Sequence, residues 1–156
     1  LVPRHPQRFA EVAALLTRLG IDFVRRSDSL PGPEILVWLG DSMGEMAAYY
    51  ALADIAFIGG SLMPLGGQNL IEAAACGCPG VVGPHTFNFL QATADAIAAG
   101  AALRVPDAEG LATTICRALG DTGELGKMRA AALRFAAAHR GASARTLALI
   151  RSTITG

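Results

Sequence analysis

A glycine-rich loop placed directly before a predicted helix carries the clearest chemical signal in the sequence. Four glycines fall within residues 59–67, and the last two, Gly66 and Gly67, immediately precede that helix. Glycine loses more conformational freedom on folding than other residues, so such a loop indicates a sharp turn or a close approach to a ligand. The backbone amides of Gly66, Gly67, Gln68 and Asn69 can cradle a phosphate at the positive end of the helix. The loop lacks both G-K-[ST] and G-x-G-x-x-G, so it predicts neither a Walker loop nor a dinucleotide fingerprint.

Glu72 follows Asn69 by three residues, on the first turn of the same predicted helix. A carboxylate in that position can accept hydrogen bonds from two ribose hydroxyls while a phosphate lies against the helix end. The same spacing, Asn69-x-x-Glu72, is also an ordinary capping box in which both side chains serve only the helix. The residues alone leave both interpretations open.

The loop after the next predicted strand carries a second set of polar side chains, from Gly83 to Phe89. His85, Thr86 and Asn88 offer hydrogen-bonding groups ahead of another helix. An unperturbed histidine has a pKa near 6.5, which suits proton transfer or contact with an anion. A solvated histidine without a role is the alternative for His85.

Arg4 follows an apolar pair that reads as the end of a strand. Its guanidinium can bind a phosphate or a carboxylate through two parallel hydrogen bonds. The alternative is a solvent-facing arginine beside a helix start.

For several other residues with polar groups, the sequence predicts a structural role and no role in binding. Ser42-Met43-Gly44-Glu45 is predicted to be a capping box that opens a helix. His139 is expected at the surface, and Tyr49 and Tyr50 are expected to pack.

The three cysteines form no C-x-x-C pair and no zinc-like spacing. We expect Cys76, Cys78 and Cys116 to be buried packing residues in a reducing compartment, with no metal bound.

The elements that position these residues alternate along the chain. Hydrophobic periodicity, caps and glycine breaks predict helices and strands in turn. Such alternation produces a doubly wound parallel sheet with right-handed crossovers, in which ligands lie outside the carboxyl ends of the strands. The predicted helices are 6–19, 42–52, 69–76, 88–99 and three segments from 107 with breaks near 121 and 141; the predicted strands are 21–24, 35–39, 54–58, 80–82 and 101–105.

Composition limits the classes of function. The 156 residues include 13 basic and 13 acidic side chains, so the net charge is zero and the basic footprint of a nucleic-acid-binding protein is absent. No apolar stretch approaches the roughly 20 residues of a membrane span. Charged residues make up 17% of the chain, against about 25% in an average domain. We expect one domain over 1–156, with part of its surface facing another domain.

Five loop motifs, in order, resemble one family. They look like the C-terminal half of the 3-deoxy-D-manno-octulosonic acid (Kdo) transferases, over almost the whole chain. The motifs are Pro3-Arg4-His5-Pro6-x-Arg8-Phe9, Gly40-Asp41-Ser42-Met43-Gly44-Glu45, Gly59-Gly60-Ser61, Gly66-Gly67-x-Asn69-x-x-Glu72 and Gly83-Pro84-His85-Thr86-x-Asn88-Phe89.

The resemblance implies a GT-B glycosyltransferase with two Rossmann-like halves, of which the C-terminal half binds the donor, CMP-Kdo. The whole enzyme would transfer Kdo, with inversion, to a lipid A precursor in lipopolysaccharide biosynthesis. Where the family usually has a histidine after the glycine pair, this chain has Gln68, which offers no imidazole while the backbone amides remain. The implied donor-binding residues are Gly66, Gly67 and Asn69 for the phosphate, Glu72 for the ribose, Arg4 for the phosphate or the Kdo carboxylate, and His85 and Asn88 as pocket lining.

The resemblance also places several features outside this chain. The catalytic base would be a glutamate of the N-terminal acceptor half, so no catalytic residue is expected here and the chain alone should be inert. The sequence has no D-x-D motif, and we expect no metal and no cofactor. Membrane association, at the cytoplasmic face of the bacterial inner membrane, would come through the other half, with this part soluble and its C-terminal helices starting at about 121. The alternatives are a UDP-sugar transferase or epimerase domain, and a non-enzymatic α/β module that binds a partner.

Overall fold

The computed structural model describes residues 1–139. Contacts between residues divide the chain into two compact units, Leu1–Met46 and Ala47–Gly156.

The first unit contains one helix and two strands. Helix α1 (Gln7–Arg18) ends where Gly20 adopts a φ of +66°, a conformation that favours glycine. Strand β1 (Phe23–Arg25) pairs in parallel with β2 (Val37–Leu39). The apolar face of α1 packs on this pair, with a core of Ala13, Leu16 and Leu39. Leu1 extends the pairing along β2, because its amino group donates to the carbonyl of Trp38 and its own carbonyl accepts from the amide of Gly40.

The predicted capping box at Ser42 is wrong. Helix α2 (Met46–Leu52) starts after Glu45, not after Ser42. The hydroxyl of Ser42 donates to the carboxylate of Glu45, and Arg26 holds the same carboxylate at 3.0 Å. Gly44 lies between them with a φ of +82°, so the backbone is not helical there and the expected cap cannot form.

The second unit has a three-stranded parallel sheet. Its strands β3 (Ala56–Phe57), β4 (Gly80–Val82) and β5 (Ala102–Arg104) lie side by side in chain order. Helices α3 (Leu70–Ala75), α4 (Leu90–Ala98), α5 (Ala108–Gly120) and α6 (Thr122–His139) follow the strands. Apolar residues of the sheet, α3, α4 and α6 form its core, including Ile58, Leu70, Ala73, Val82, Ala96, Ala102, Ala132 and Phe135.

The α/β class with parallel strand pairing is confirmed, and the described strands form two sheets. The predicted strand 80–82 matches β4 residue for residue, and α3 lies within its predicted limits. The helix predicted from Asn88 begins instead with a 3-10 turn, Phe87–Phe89. The third late helix, beyond Gly141, lies outside the described residues. The prediction that the whole chain is one domain stays a prediction.

Several side chains depart from their predicted surroundings. Cys78 is buried, as expected, but Cys76 is only half-buried and Cys116 is exposed on α5. His139 was expected at the surface and is half-buried instead, because it packs on Phe135 and lies 3.7 Å from a carboxylate oxygen of Asp95. Among residues 1–139, no helix is long and apolar enough to cross a membrane.

Candidate functional site

Two loops meet at the carboxyl edge of the three-stranded sheet. The first, residues 59–69, connects β3 to α3, and the second, residues 83–86, leads from β4 to the 3-10 turn. Since β3 and β4 are hydrogen-bonded neighbours, parallel in direction, both loops leave the sheet at the same edge. This is the edge at which parallel α/β sheets bind ligands.

The hydroxyl of Ser61 joins the two loops. It donates to the carbonyl of Ile58 at 2.5 Å and accepts from the amide of Gly83 at 2.8 Å. The carbonyl of Ser61 accepts a further bond, from the amide of His85, at 2.9 Å. Ser61 is 0% exposed, so these bonds are shielded from competition with water.

The glycine pair allows the first loop to approach the second. Gly66 and Gly67 have φ values of +87° and +75°, which side chains with a Cβ rarely adopt. The carbonyl of Gly66 accepts from the amide of Asn88 at 3.1 Å. The carboxamide of Asn88 donates to the carbonyl of Leu65 at 3.2 Å, and a Cβ on Gly66 would overlap that carboxamide.

The amide of Gly67 is used inside the loop. It donates to the carbonyl of Gly60 at 3.1 Å. The sequence predicts that this amide helps to bind a phosphate, but in the structure it is already hydrogen-bonded within the loop.

Asn69 and Glu72 partly form the predicted capping arrangement. The side-chain oxygen of Asn69 accepts from the amide of Ile71 at 3.0 Å, which caps α3. The side-chain amide of Asn69 donates to one carboxylate oxygen of Glu72 at 3.1 Å. Glu72 is exposed, and a carboxylate has more acceptor sites than this one bond uses. Capping and binding of a ligand by Glu72 are therefore compatible.

Tyr50 of α2 lies near this carboxylate and packs against the core of the second unit. Burial raises the pKa of Tyr50, and the negative charge of Glu72 raises it further. Tyr50 is therefore a neutral packing residue beside Glu72, as the sequence predicted.

Arg104 holds the second loop from the neighbouring strand. It is the last residue of β5, and its guanidinium donates to the carbonyls of Gly83 and Pro84, both at 3.0 Å. It also donates to the hydroxyl of Thr86 at 3.1 Å. These three acceptors lie on both sides of His85, which is half-buried.

Six of the seven predicted binding residues lie in this unit, on the two loops, on the first turn of α3 or, for Asn88, on the 3-10 turn. Arg4 lies in the first unit, where it is exposed. The first unit has its own polar cluster after its strands: Asp41 accepts from the amide and the hydroxyl of Ser27 at 2.9 and 2.7 Å, and Arg25 lies 3.9 Å away.

The surface of the two loops has little charge and much apolar area. From residue 55 to residue 94, Glu72 is the one Asp, Glu, Lys or Arg. Large apolar side chains project from the loops and from the start of α4 into solvent: Met63, Leu65, Phe87 and Leu90, each at least 60% exposed. The segment that carries both loops is thus poorer in charged residues than the chain as a whole.

Ser61 and Arg104 hold the two loops, and no motif in the sequence predicts these roles. Arg104 does leave a signal, since it is the one charged residue in the apolar run Ala101–Val105. Ser61 leaves a weaker one, as a small polar residue after two glycines. Among residues 1–139, no group of three or more His, Cys, Asp or Glu side chains is arranged to hold a metal ion.

Parallel strands that alternate with helices define an α/β domain, and its two joined loops lie at the edge where such sheets bind ligands. A family-model scan gives no match. Sequence comparison finds the 3-deoxy-D-manno-octulosonic acid transferase of Bordetella pertussis, 55% identical over 149 residues, which are 94% of this chain and 35% of that protein. The enzyme of the same name from Haemophilus influenzae is 52% identical over 90 residues, covering 57% of this chain and 21% of that protein.

A solved structure agrees with these relatives. The crystal structure of the C-terminal CMP-Kdo binding domain of WaaA from Acinetobacter baumannii matches with a TM-score of 0.81 and 35% identity. The match covers 86% of this chain and 72% of that chain. The chain belongs to the Kdo transferase family and matches its C-terminal domain. It spans about a third or less of the length of the curated relatives it matches.

Proposed function

We propose that this chain is the donor-binding domain of a GT-B glycosyltransferase, and that its ligand is CMP-Kdo. The observation that carries the proposal is the pair of interlocked loops at the carboxyl edge of β3 and β4, in a chain whose fold matches a domain described as binding CMP-Kdo. In the whole protein, Kdo would pass to a lipid A precursor in lipopolysaccharide biosynthesis.

Each predicted binding residue has a role in this proposal. The backbone at Gly66, Gly67 and Asn69 holds the CMP phosphate, with Gly67 contributing its conformation because its own amide donates to Gly60. Glu72 accepts hydrogen bonds from the ribose hydroxyls. His85 and Asn88 line the pocket, and Arg4 contacts the phosphate or the Kdo carboxylate.

The chemistry that these residues support is the departure of a phosphate. Backbone amides and a cation stabilise the charge that develops on a leaving nucleoside monophosphate, and this role does not call for a metal-bridged diphosphate. The sequence has no D-x-D motif. We propose a metal-independent transfer with inversion, in which a glutamate of the acceptor half is the base that deprotonates the acceptor hydroxyl.

The acceptor half is proposed to lie outside this chain, which spans 35% of its Bordetella relative. That half would carry the association with the cytoplasmic face of the bacterial inner membrane. The exposed apolar residues Met63, Leu65, Phe87 and Leu90 support a second domain against the loops, because large apolar side chains are costly to leave in water.

Calorimetric titration of the 156-residue chain with CMP tests the proposal. We expect saturable one-to-one binding by the unaltered chain and at least about tenfold weaker binding by Glu72→Ala, since the ribose loses its acceptor. Glu109→Ala is a matched control, because Glu109 is also an exposed glutamate on the first turn of a helix. Equal binding by the Glu72 and Glu109 variants, or no binding by the unaltered chain, would contradict the proposal.

Competition between nucleotides identifies the base. We expect CMP to displace a bound fluorescent CMP analogue at lower concentration than UMP or UDP does. A preference for uridine nucleotides would indicate that the donor is a UDP-sugar and not CMP-Kdo. A stable protein complex in the absence of nucleotide binding would support a partner-binding module instead.

A further inference from the structure

Arg104 donates hydrogen bonds to three groups of the second loop. Its three acceptors are the carbonyls of Gly83 and Pro84 and the hydroxyl of Thr86, all uncharged. Among the described residues, no carboxylate lies within ion-pair distance of it. Within this part of the chain, Arg104 thus binds the loop through hydrogen bonds without an ion pair.

The bonds of Arg104 fix the chain on both sides of His85. The guanidinium binds the two residues before His85 and the one residue after it. The amide of His85 itself donates to the carbonyl of Ser61 at 2.9 Å, and Thr86 is only 5% exposed. The backbone at His85 is thus held from β5 and from the glycine loop at once, while the residue as a whole is only half-buried.

We propose that Arg104 is a positioning residue for the donor site, which sets the orientation of His85 before the ligand arrives. The inference rests on the proposed function, since it presumes a nucleotide at these loops. A forked, planar guanidinium can bind several fixed acceptors at once, whereas a lysine ammonium carries its charge on a flexible stem. A pre-organised loop avoids the entropy of ordering on binding, so Arg104 increases affinity without touching the ligand.

The test is a double-mutant cycle on CMP affinity, measured by calorimetry with the 156-residue chain. We expect Arg104→Gln to weaken CMP binding about tenfold and Arg104→Lys to recover only part of the loss, because lysine restores the charge but not the fork. In a chain that carries His85→Ala, the same Arg104→Gln change should have little effect on affinity, since the group it positions is gone. Arg117→Gln is the control for loss of one exposed arginine of the same unit.

A second variant covers the case in which Arg104→Gln does not fold. Thr86→Val removes one acceptor of the guanidinium and should weaken CMP binding in the same direction, again only when His85 is present. Three results would each overturn the positioning role. They are an unchanged affinity in Arg104→Gln, a full recovery of affinity in Arg104→Lys, and an equal loss of affinity from Arg104→Gln with and without His85. No CMP binding by the unaltered chain would overturn the proposed function and this inference with it.

Discussion

The amide of Gly83 donates a hydrogen bond of 2.8 Å to the hydroxyl of Ser61, which lies 22 residues earlier in the sequence. The backbones of the two residues are in close contact. A Cβ on Gly83 would overlap the carbonyl of Ser61, which is backbone and cannot rotate away. This contact lies where β3 and β4 release their loops, so it sets the separation of the two loops of the candidate site.

Gly83→Ala should therefore destabilise the chain by about 1–3 kcal/mol, because the added methyl group forces the two loops apart. Urea denaturation followed by circular dichroism measures the change. Gly59→Ala is the matched control, since a Cβ there meets nothing within 4 Å and its φ is not positive. Equal stabilities of the two variants would contradict the close contact.

Ser61→Ala should cost about 1–3 kcal/mol, since it leaves the buried amide of Gly83 without its acceptor. The control is Ser29→Ala, an exposed serine whose change should lie within about 0.5 kcal/mol. Hydrogen exchange at the amides of Gly83 and His85 should also accelerate in the Ser61 variant. Unchanged protection at both amides would show that Ser61 does not hold the second loop.

The three thiols should differ in reactivity in the folded chain. Burial raises the pKa of the Cys78 thiol to about 11, so at pH 8 it is almost entirely protonated as well as inaccessible. With iodoacetamide we expect exposed Cys116 to react first, half-buried Cys76 more slowly, and Cys78 only after unfolding in urea. Timed alkylation with peptide mass spectrometry gives the order. Modification of Cys78 at the rate of Cys116 without denaturant would contradict the buried position.

Asp41 should make the first unit sensitive to acid. Burial alone would raise its pKa, but hydrogen bonds from Ser27 and the charge of Arg25 outweigh that effect and lower the pKa below its ordinary value. An aspartate with a lowered pKa stabilises the folded chain at pH values above its ordinary pKa of about 3.9. That stabilisation is lost as the pH falls through the pKa of the folded state.

Asp41→Asn should accordingly be less stable than the unaltered chain at pH 7, and the difference should shrink below about pH 4. Thermal unfolding at pH 7, 4 and 3 measures it. Asp22→Asn, at an exposed position of the same unit, is the control for the loss of one carboxylate. A constant difference across the three pH values would show that the charge of Asp41 contributes nothing to folding.

Local signals in the sequence were sufficient for most elements of the fold. Gly20 ended α1 because it alone adopts the required positive φ without strain, and the apolar run 80–82 became β4. The helix predicted from Ser42 starts only at Met46, because Gly44 has a φ of +82° and is not helical, and Arg26 also binds the Glu45 carboxylate that the capping box would use. A short motif predicts a cap only when no tertiary contact competes for its side chains.

The sequence by itself determined the alternation of strands and helices, the parallel α/β class, and the loops on which the candidate residues lie. These follow from periodicity and backbone preference, which act over a few neighbouring residues. Only the tertiary structure decided which groups hold those loops: Ser61 reaches Gly83, Asn88 reaches Leu65, and Arg104 reaches Thr86 across 22, 23 and 18 positions. The pairing of β3, β4 and β5 brings distant chain segments together at one edge of the sheet. Because these contacts join residues far apart in the sequence, no local spacing predicts them.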